Sequence, residues 1–196
     1  MVKTAKTEHV IVAILAGGAS RRMGGVNKAT APIAGEPMLA HVIKKVAPQA
    51  DEIVISGPDD FGAGLCAIPD APGAGAGPTA GLISIAEWLA GQRPEVDHFY
   101  TVPVDAPLLP EDLIDRLGAT DGGAIARSPA GLQPTFARWP VTGLLTMVKR
   151  ANDDNSPSLR EVAAALGVNE IAFPDDTPFF NVNDPNDLET LKSHEF

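Results

Sequence analysis

Cysteine, aromatic residues, basic residues and long apolar runs are all scarce in this sequence. Cys66 is the one cysteine among 196 residues, so no disulfide forms within the chain and a reducing compartment is expected. No apolar run approaches the about 20 residues of a membrane-spanning helix, and residues 1–10 lack the apolar core of a signal peptide. We therefore expect a cytoplasmic protein without a membrane partner.

The shortage of basic residues limits the partners further. Lysine and arginine number 15 against 25 aspartates and glutamates, which gives a formal net charge of -10. Such a balance disfavours nonspecific binding to nucleic acid or anionic membranes, although it permits a local cationic pocket. The length and the hydrophobic content of 44% suit a single domain over residues 1–196 that buries its own core.

The order of predicted elements indicates an α/β protein. Residues 10–15 are almost purely apolar, which is typical of a strand buried on both faces of a parallel sheet. Further strands are predicted at 52–56, 65–68, 98–104, 123–127, 132–136 and 171–173. Helices are predicted at 37–46, 82–89, 110–117 (with Pro110 in its first turn), 141–150, 158–166 and 185–192. Strands and helices alternate over the first 120 residues, which predicts a mostly parallel sheet covered on both faces.

Three loops of this predicted sheet carry glycines or carboxylates. They follow Leu15, extend from Asp70 to Gly81, and begin at Asp105. Ligands of such sheets bind outside the carboxyl ends of the strands. We therefore expect the three loops to meet at one site.

The first loop has the composition of a polyphosphate-binding segment. The sequence from Leu15 to Lys28, LAGGASRRMGGVNK, combines glycines with Arg21, Arg22 and Lys28. Glycines let backbone N–H groups approach a ligand, and the cations match phosphate oxygens. The spacing fits neither the P-loop nor the dinucleotide-binding fingerprint. A solvated turn with ordinary surface cations is the alternative interpretation.

The same segment resembles the signature of nucleotidyltransferases with a GT-A-like Rossmann fold, and more narrowly the MobA-like family of molybdenum cofactor guanylyltransferases. The similarity continues through GEPMLAHV at 35–42, GPTAGL at 77–82, VDAPLLPEDL at 104–113 and FNVNDPNDL at 180–188. The resemblance thus spans most of the chain. It implies the three-layer αβα fold of the nucleotide-diphospho-sugar transferases, with a mostly parallel sheet.

The activity that the resemblance implies is guanylyl transfer. GMP would pass from Mg-GTP to the terminal phosphate of molybdenum-molybdopterin, giving the molybdopterin guanine dinucleotide cofactor and pyrophosphate. Mg²⁺ would be the cofactor. Cofactor-insertion proteins and molybdoenzyme apoproteins would be further partners.

The resemblance also implies roles for individual residues. Arg22, Lys28 and Asp105 would be catalytic, and Asp105 would also ligate the metal. The implied GTP-binding residues are Leu15, Ala16, Gly17, Gly18, Lys28, Ser56, Asp70 and Asp105. The implied pterin-binding residues are Pro134, Asn181 and Asn183. Several positions depart from the common family pattern. Asn27 stands where Asp usually precedes the lysine, Ser56 stands where Asn usually ends the second strand, and VDAP at 104–107 replaces the more usual CDTP.

Structural roles remain open for several of these residues. Asp105 can end a strand and cap a turn, and Asp70 is a common turn residue. Asn181 and Asn183 can bond local backbone, while Asp184 followed by Pro185 suits a helix N-cap and first turn.

Other functions remain open as well. One is a sister transferase that uses CTP on molybdopterin or another nucleotide on a different phosphate. Another is a binding protein for nucleotide or pterin without turnover, which retention of Arg22, Lys28 and Asp105 disfavours.

Overall fold

Seven strands form the central sheet of the protein. The structure, a computed structural model, describes residues 9–17, 27–72, 77–148 and 156–192. The strands are β1 (Ile11–Leu15), β2 (Pro32–Ile33), β3 (Glu36–Pro37), β4 (Glu52–Ser56), β5 (Cys66–Ile68), β6 (His98–Pro103), β7 (Ala124–Ser128), β8 (Gly131–Pro140) and β9 (Asn169–Ala172). The helices are α1 (Met38–Val46), α2 (Pro78–Gln92), α3 (Leu113–Gly118), α4 (Val141–Val148), α5 (Leu159–Leu166) and α6 (Pro185–Lys192). Strands β2 and β3 form a separate antiparallel hairpin.

The sheet has the order β5-β4-β1-β6-β8-β7-β9. Within the described part of the chain, β8 alone runs antiparallel to its sheet neighbours. Leu15 at the end of β1 is in register with Ser56 of β4 on one side and Pro103 of β6 on the other. These strands therefore end at the same edge, which confirms the predicted mostly parallel sheet.

Helices cover both faces of this sheet. Alternate residues of β1 enter two different cores, with Val12 and Ile14 on one side and Ile11 and Ala13 on the other. Helices α1 and α3 pack into the first core, whereas α2, α4 and α5 pack into the second. Burial of Ile11, Val12, Ala13 and Ile14 on both faces explains the nearly uninterrupted apolar sequence of β1. The arrangement is the predicted three-layer αβα architecture.

A third, smaller core joins the hairpin to the last helix. It contains Ala31, Ile33, Met38, Val182 and Leu191, all buried. This core attaches α6 to the segment that follows Lys28. The hairpin itself was not expected, because strands of two residues are too short to show a periodic pattern.

Most predicted elements are confirmed, with shifted ends. Helix α2 begins at Pro78 rather than at 82, because Gly77 serves as its N-cap and Pro78 occupies its first position, followed by small residues without apolar periodicity. The prediction that Pro110 lies in the first turn of a helix was wrong. Leu113 begins α3, and its N–H donates to the Pro110 carbonyl in the preceding turn.

Strand β8 is longer than expected and β9 begins earlier. The helix predicted at 141–150 is confirmed as far as 148, and residues 149 and 150 lie outside the described ranges. Across the described ranges, no helix combines the length and apolarity needed to cross a membrane.

Candidate active site

A cleft of about 510 Å³ opens at the carboxyl ends of the parallel strands. Its lining brings together most of the predicted site residues, namely Leu15, Ala16, Gly17, Lys28, Ser56, Asp70, Asp105 and Asn183. All three predicted loops contribute to it. The expectation that these loops converge is therefore confirmed.

Strand order arranges these residues in a row. Strands β5, β4, β1 and β6 are neighbours in the sheet, in this order. Asp70 follows β5, Ser56 ends β4, Leu15 ends β1, and Asp105 follows β6. Three strand spacings of about 4.8 Å separate β5 from β6, so the row extends over roughly 14 Å. An elongated ligand can therefore contact all four loops at once.

The centre of the row is fixed by backbone hydrogen bonds. The Ala16 N–H donates to the Ser56 carbonyl at 2.9 Å, and the Val104 N–H donates to the Leu15 carbonyl at 3.2 Å. These bonds continue the pairing of β1 with β4 and with β6 by one residue beyond the strand ends. The loop after β1 therefore begins in a defined direction.

Lys28, Asp105 and Asn183 form a polar cluster at the β6 end of the cleft. Lys28 Nζ donates to Asp105 Oδ2 at 2.6 Å and to Asn183 Oδ1 at 2.8 Å. The Lys28 and Asp105 side chains are 16% and 21% exposed, so water screens this ion pair less than it screens a surface pair. The cluster thus presents a fixed cation and a fixed carboxylate to a ligand.

Local structure sets the position of Lys28. It begins a short 3₁₀ turn, Lys28–Thr30, whose N-cap is Asn27. Asn27 Oδ1 accepts from the Ala29 N–H at 2.9 Å. An amide oxygen caps this turn as a carboxylate oxygen would, which accounts physically for asparagine at a position where aspartate was expected.

The opposite end of the cleft is built by Ser56, Asp70 and the start of α2. Gly77 has a φ of 80°, a backbone conformation that favours glycine, and it lines the cleft with Pro78 and Gly81. A Cβ at position 81 would lie 2.4 Å from Ser56 Oγ and 3.5 Å from Asp70 Oδ1. The absence of a side chain at Gly81 therefore makes room for the Ser56 hydroxyl.

The remaining predicted residues lie elsewhere or outside the described ranges. Gly18 and Arg22 fall within residues 18–26, which the structure does not describe. Pro134 and Asn181 are not part of the cleft lining, whereas Thr135 is. Asn181 Oδ1 is nevertheless buried, and it has no hydrogen-bond partner among the described residues.

Thr135 and Asn27 contribute to the site although no role in it was predicted for them. Thr135 lies where the pairing of β7 with β8 shifts register, between the pairs Ala126–Gln133 and Ile125–Ala137. Such a bulge re-aims side chains beside active sites, and Pro134 within a strand was its sequence signal. Asparagine before a short polar turn was the corresponding signal for the Asn27 cap.

The fold and the cleft define the class: an α/β protein with its site at the carboxyl ends of a mostly parallel sheet, where nucleotides bind. A family model described as the MobA-like NTP transferase domain matches residues 12–169. The chain belongs to this family.

Curated relatives agree with this assignment. The chain is 40% identical over 182 residues to the molybdenum cofactor guanylyltransferase of Rhodobacter capsulatus, covering 89% of this chain and 90% of the relative. It is 36% identical over 187 residues to the protein of the same name from Bradyrhizobium sp. (strain ORS 278), covering 89% and 88%. Molybdopterin-guanine dinucleotide biosynthesis protein A from Archaeoglobus fulgidus shares the fold, with a TM-score of 0.70, 20% identity and coverage of 93% and 97%.

The contact between positions 81 and 56 generates a prediction. Gly81→Ala should force the Ser56 hydroxyl out of its present position and weaken nucleoside triphosphate binding, while alanine should favour the helix by about 1 kcal/mol relative to glycine. Calorimetric titration with the nucleotide should show that Gly81→Ala and Ser56→Ala have non-additive effects in a double-mutant cycle.

Gly91→Ala is the matched control, because Gly91 lies in the same helix and an added Cβ there meets nothing within 4 Å. Additive effects of Gly81→Ala and Ser56→Ala would contradict coupling through the hydroxyl.

Proposed function

We propose that this protein transfers GMP from Mg-GTP to the terminal phosphate of molybdenum-molybdopterin, releasing pyrophosphate. The observation that carries the proposal is the Lys28–Asp105 pair in a cleft at the carboxyl ends of the strands. The choice of guanine and of the acceptor rests on the names of the curated relatives. The alternative is cytidylyl transfer on the same fold, and the test must distinguish guanylyl transfer from it.

The proposed reaction proceeds in line, without an enzyme-bound intermediate. An oxygen of the acceptor phosphate forms a bond to the α-phosphorus of GTP, and the bond from that phosphorus to the bridging oxygen of pyrophosphate breaks. Catalysis of this kind depends on positioning and on stabilising charge. The fixed ammonium of Lys28 suits contact with the phosphates, where it would offset the charge that develops on pyrophosphate.

Asp105 is the proposed ligand of a divalent ion. Among the described residues, no group of three or more histidines, cysteines, aspartates or glutamates is arranged to hold a metal. Asp105 is the carboxylate beside Lys28 in the cleft, and such a group suits Mg²⁺, which proteins commonly bind through one or two carboxylates together with substrate phosphates. When bound, Mg²⁺ would screen phosphate charge and orient the triphosphate.

The row of loops suggests how the nucleotide lies. We assign Leu15, Ala16, Gly17, Ser56 and Asp70 to GTP binding, because they extend from the Lys28 end of the cleft towards β5. Gly18 remains a proposed GTP-binding residue and Arg22 a proposed catalytic residue.

On the acceptor side, Pro134 and Asn181 remain the proposed pterin contacts. The Oδ1 of Asn181 is buried and accepts no hydrogen bond from the described residues, so a donor on a ligand would satisfy it only after a local rearrangement. Cytoplasmic location, a single domain over 1–196, and product delivery to cofactor-insertion proteins and molybdoenzyme apoproteins also belong to the proposal.

Pyrophosphate release tests the proposed reaction directly. The purified protein is supplied with Mg²⁺ and molybdenum-molybdopterin, and GTP, CTP, ATP and UTP are offered in parallel. Release with GTP alone is expected. Release with CTP instead would assign the protein to the cytidylyl reaction, and no release with any nucleotide would contradict transfer to this acceptor.

Removal of the cleft cation should impair turnover far more than folding. Lys28→Ala should lower kcat by about 100-fold or more, because the developing pyrophosphate charge loses its compensation. The control is Lys45→Ala, since Lys45 pairs with the exposed Glu111 and does not line the cleft. Near-normal turnover of Lys28→Ala would exclude this lysine from the mechanism.

Neutralising Asp105 should change the response to metal. Asp105→Asn should raise the Mg²⁺ concentration needed for half-maximal rate and lower the maximal rate, because a neutral amide is a poorer ligand for a hard cation. Asp112→Asn is the control at an exposed aspartate paired with Arg116 outside the cleft. An unchanged Mg²⁺ titration would place the metal at another residue.

A further inference from the structure

Asn183 contacts the proposed catalytic lysine directly. Its Oδ1 accepts a hydrogen bond from Lys28 Nζ at 2.8 Å, beside the 2.6 Å bond from the same ammonium to Asp105. The 155 residues that separate Asn183 from Lys28 in the chain make this a tertiary contact rather than a local turn.

The orientation of the Asn183 amide is fixed from both ends. Its Nδ2 donates to the Asn181 carbonyl at 3.3 Å, which directs Oδ1 towards the ammonium. Its backbone N–H donates to Asp187 Oδ2 at 2.7 Å. Both ends of the side-chain amide and the backbone N–H are therefore engaged within the protein.

The segment that carries Asn183 is also tied to Asp105. The Val182 N–H donates to the Asp105 carbonyl at 2.7 Å, and the Val182 side chain is fully buried in the third core. Asp184 Oδ1 accepts from the N–H groups of Asn186 and Asp187, so it caps α6 directly after this segment. Asn183 thus stands on a rigid support that contacts both members of the ion pair.

The Asn183 side chain carries no charge, which is important beside Lys28 and Asp105. With Asp105 already present, a second carboxylate would hold Lys28 equally well but would add negative charge where a triphosphate must bind. An amide oxygen directs the ammonium without that repulsion.

We propose that Asn183 is a positioning residue that holds Lys28 for the nucleotide phosphates, in place of the pterin contact expected for it. The inference rests on the proposed function for the role of Lys28 itself. It assigns Asn183 to the nucleotide half of the reaction, so its loss should be detectable before any pterin is present.

The first test measures the contact without any ligand. Reductive methylation followed by mass spectrometry reports how fast Lys28 is modified, with Lys45 as an internal reference in each sample. Asn183→Ala should raise the relative rate at Lys28 by about fivefold, the factor expected for one hydrogen bond. Asn186→Ala, at an exposed asparagine of the same segment, should leave the rate unchanged.

The second test separates the two substrates. In Asn183→Ala, calorimetry should show weaker Mg-GTP binding in the absence of molybdopterin, and kcat should fall while the KM for molybdopterin stays the same. Asn183→Asp should keep Lys28 slow to methylate but still weaken Mg-GTP binding, because it adds charge. This variant retains an acceptor for Lys28, so it serves even where the alanine variant folds poorly.

Two results would overturn the inference. One is an unchanged methylation rate at Lys28 in a folded Asn183→Ala variant. The other is unchanged Mg-GTP binding together with a raised KM for molybdopterin, which would make Asn183 a pterin contact. Failure of the unaltered chain to bind Mg-GTP would contradict the proposed function instead, and the methylation rate would still decide whether Asn183 holds Lys28.

Discussion

The common edge at which β5, β4, β1 and β6 end is the constraint on which the site depends. The register of Leu15 with both Ser56 and Pro103 aligns these ends to within one residue. A slip of one residue along β1 would exchange its two buried faces and move the first loop away from Asp105. Burial of β1 on both sides makes such a slip costly, so the packing of the core also fixes the geometry of the cleft.

Electrostatics inside the cleft differ from those of the whole chain. The net charge of -10 would repel a nucleotide at long range, yet the cleft holds Lys28 against a carboxylate and an amide. An ammonium with two fixed partners is already oriented, so little side-chain entropy is lost when phosphates arrive. The same contact also weakens phosphate binding, because ligand phosphates must compete with Asp105 for the Lys28 ammonium. A divalent ion on that carboxylate would ease the competition, which gives a physical reason for metal and nucleotide to bind together.

Much of this fold could be predicted from the sequence because its main elements are strongly patterned. Residues 52–56 and 185–192 show the strand and the helix where they were expected, since each has clear flanking signals. The start of α3 was misplaced because Pro110 suits a tight turn as well as a first helical turn. The convergence of Leu15, Asp70 and Asp105 followed from a general property of parallel sheets.

The contacts within the site could not be predicted in the same way. No spacing relates Asn183 to Lys28 across 155 residues, and no propensity reveals that Gly81 makes room for Ser56. Such contacts depend on three-dimensional packing, in which one added or missing atom determines whether the contact forms. Sequence similarity predicted Asn183 as a pterin contact, and the structure shows it in the cleft lining in contact with Lys28.

The third core connects the last part of the described chain to the segment that follows Lys28. Val182 and Leu191 are fully buried against Ile33 and Met38, which continue directly from the turn that holds Lys28. Loss of this packing would loosen Asn183 and the backbone bond to Asp105 together, since both depend on the same short segment. The position of the ion pair therefore depends on buried apolar residues that are not part of the cleft lining. Helix α6 thus supports the site through packing, although none of its described side chains, from 186 to 191, is part of the cleft lining.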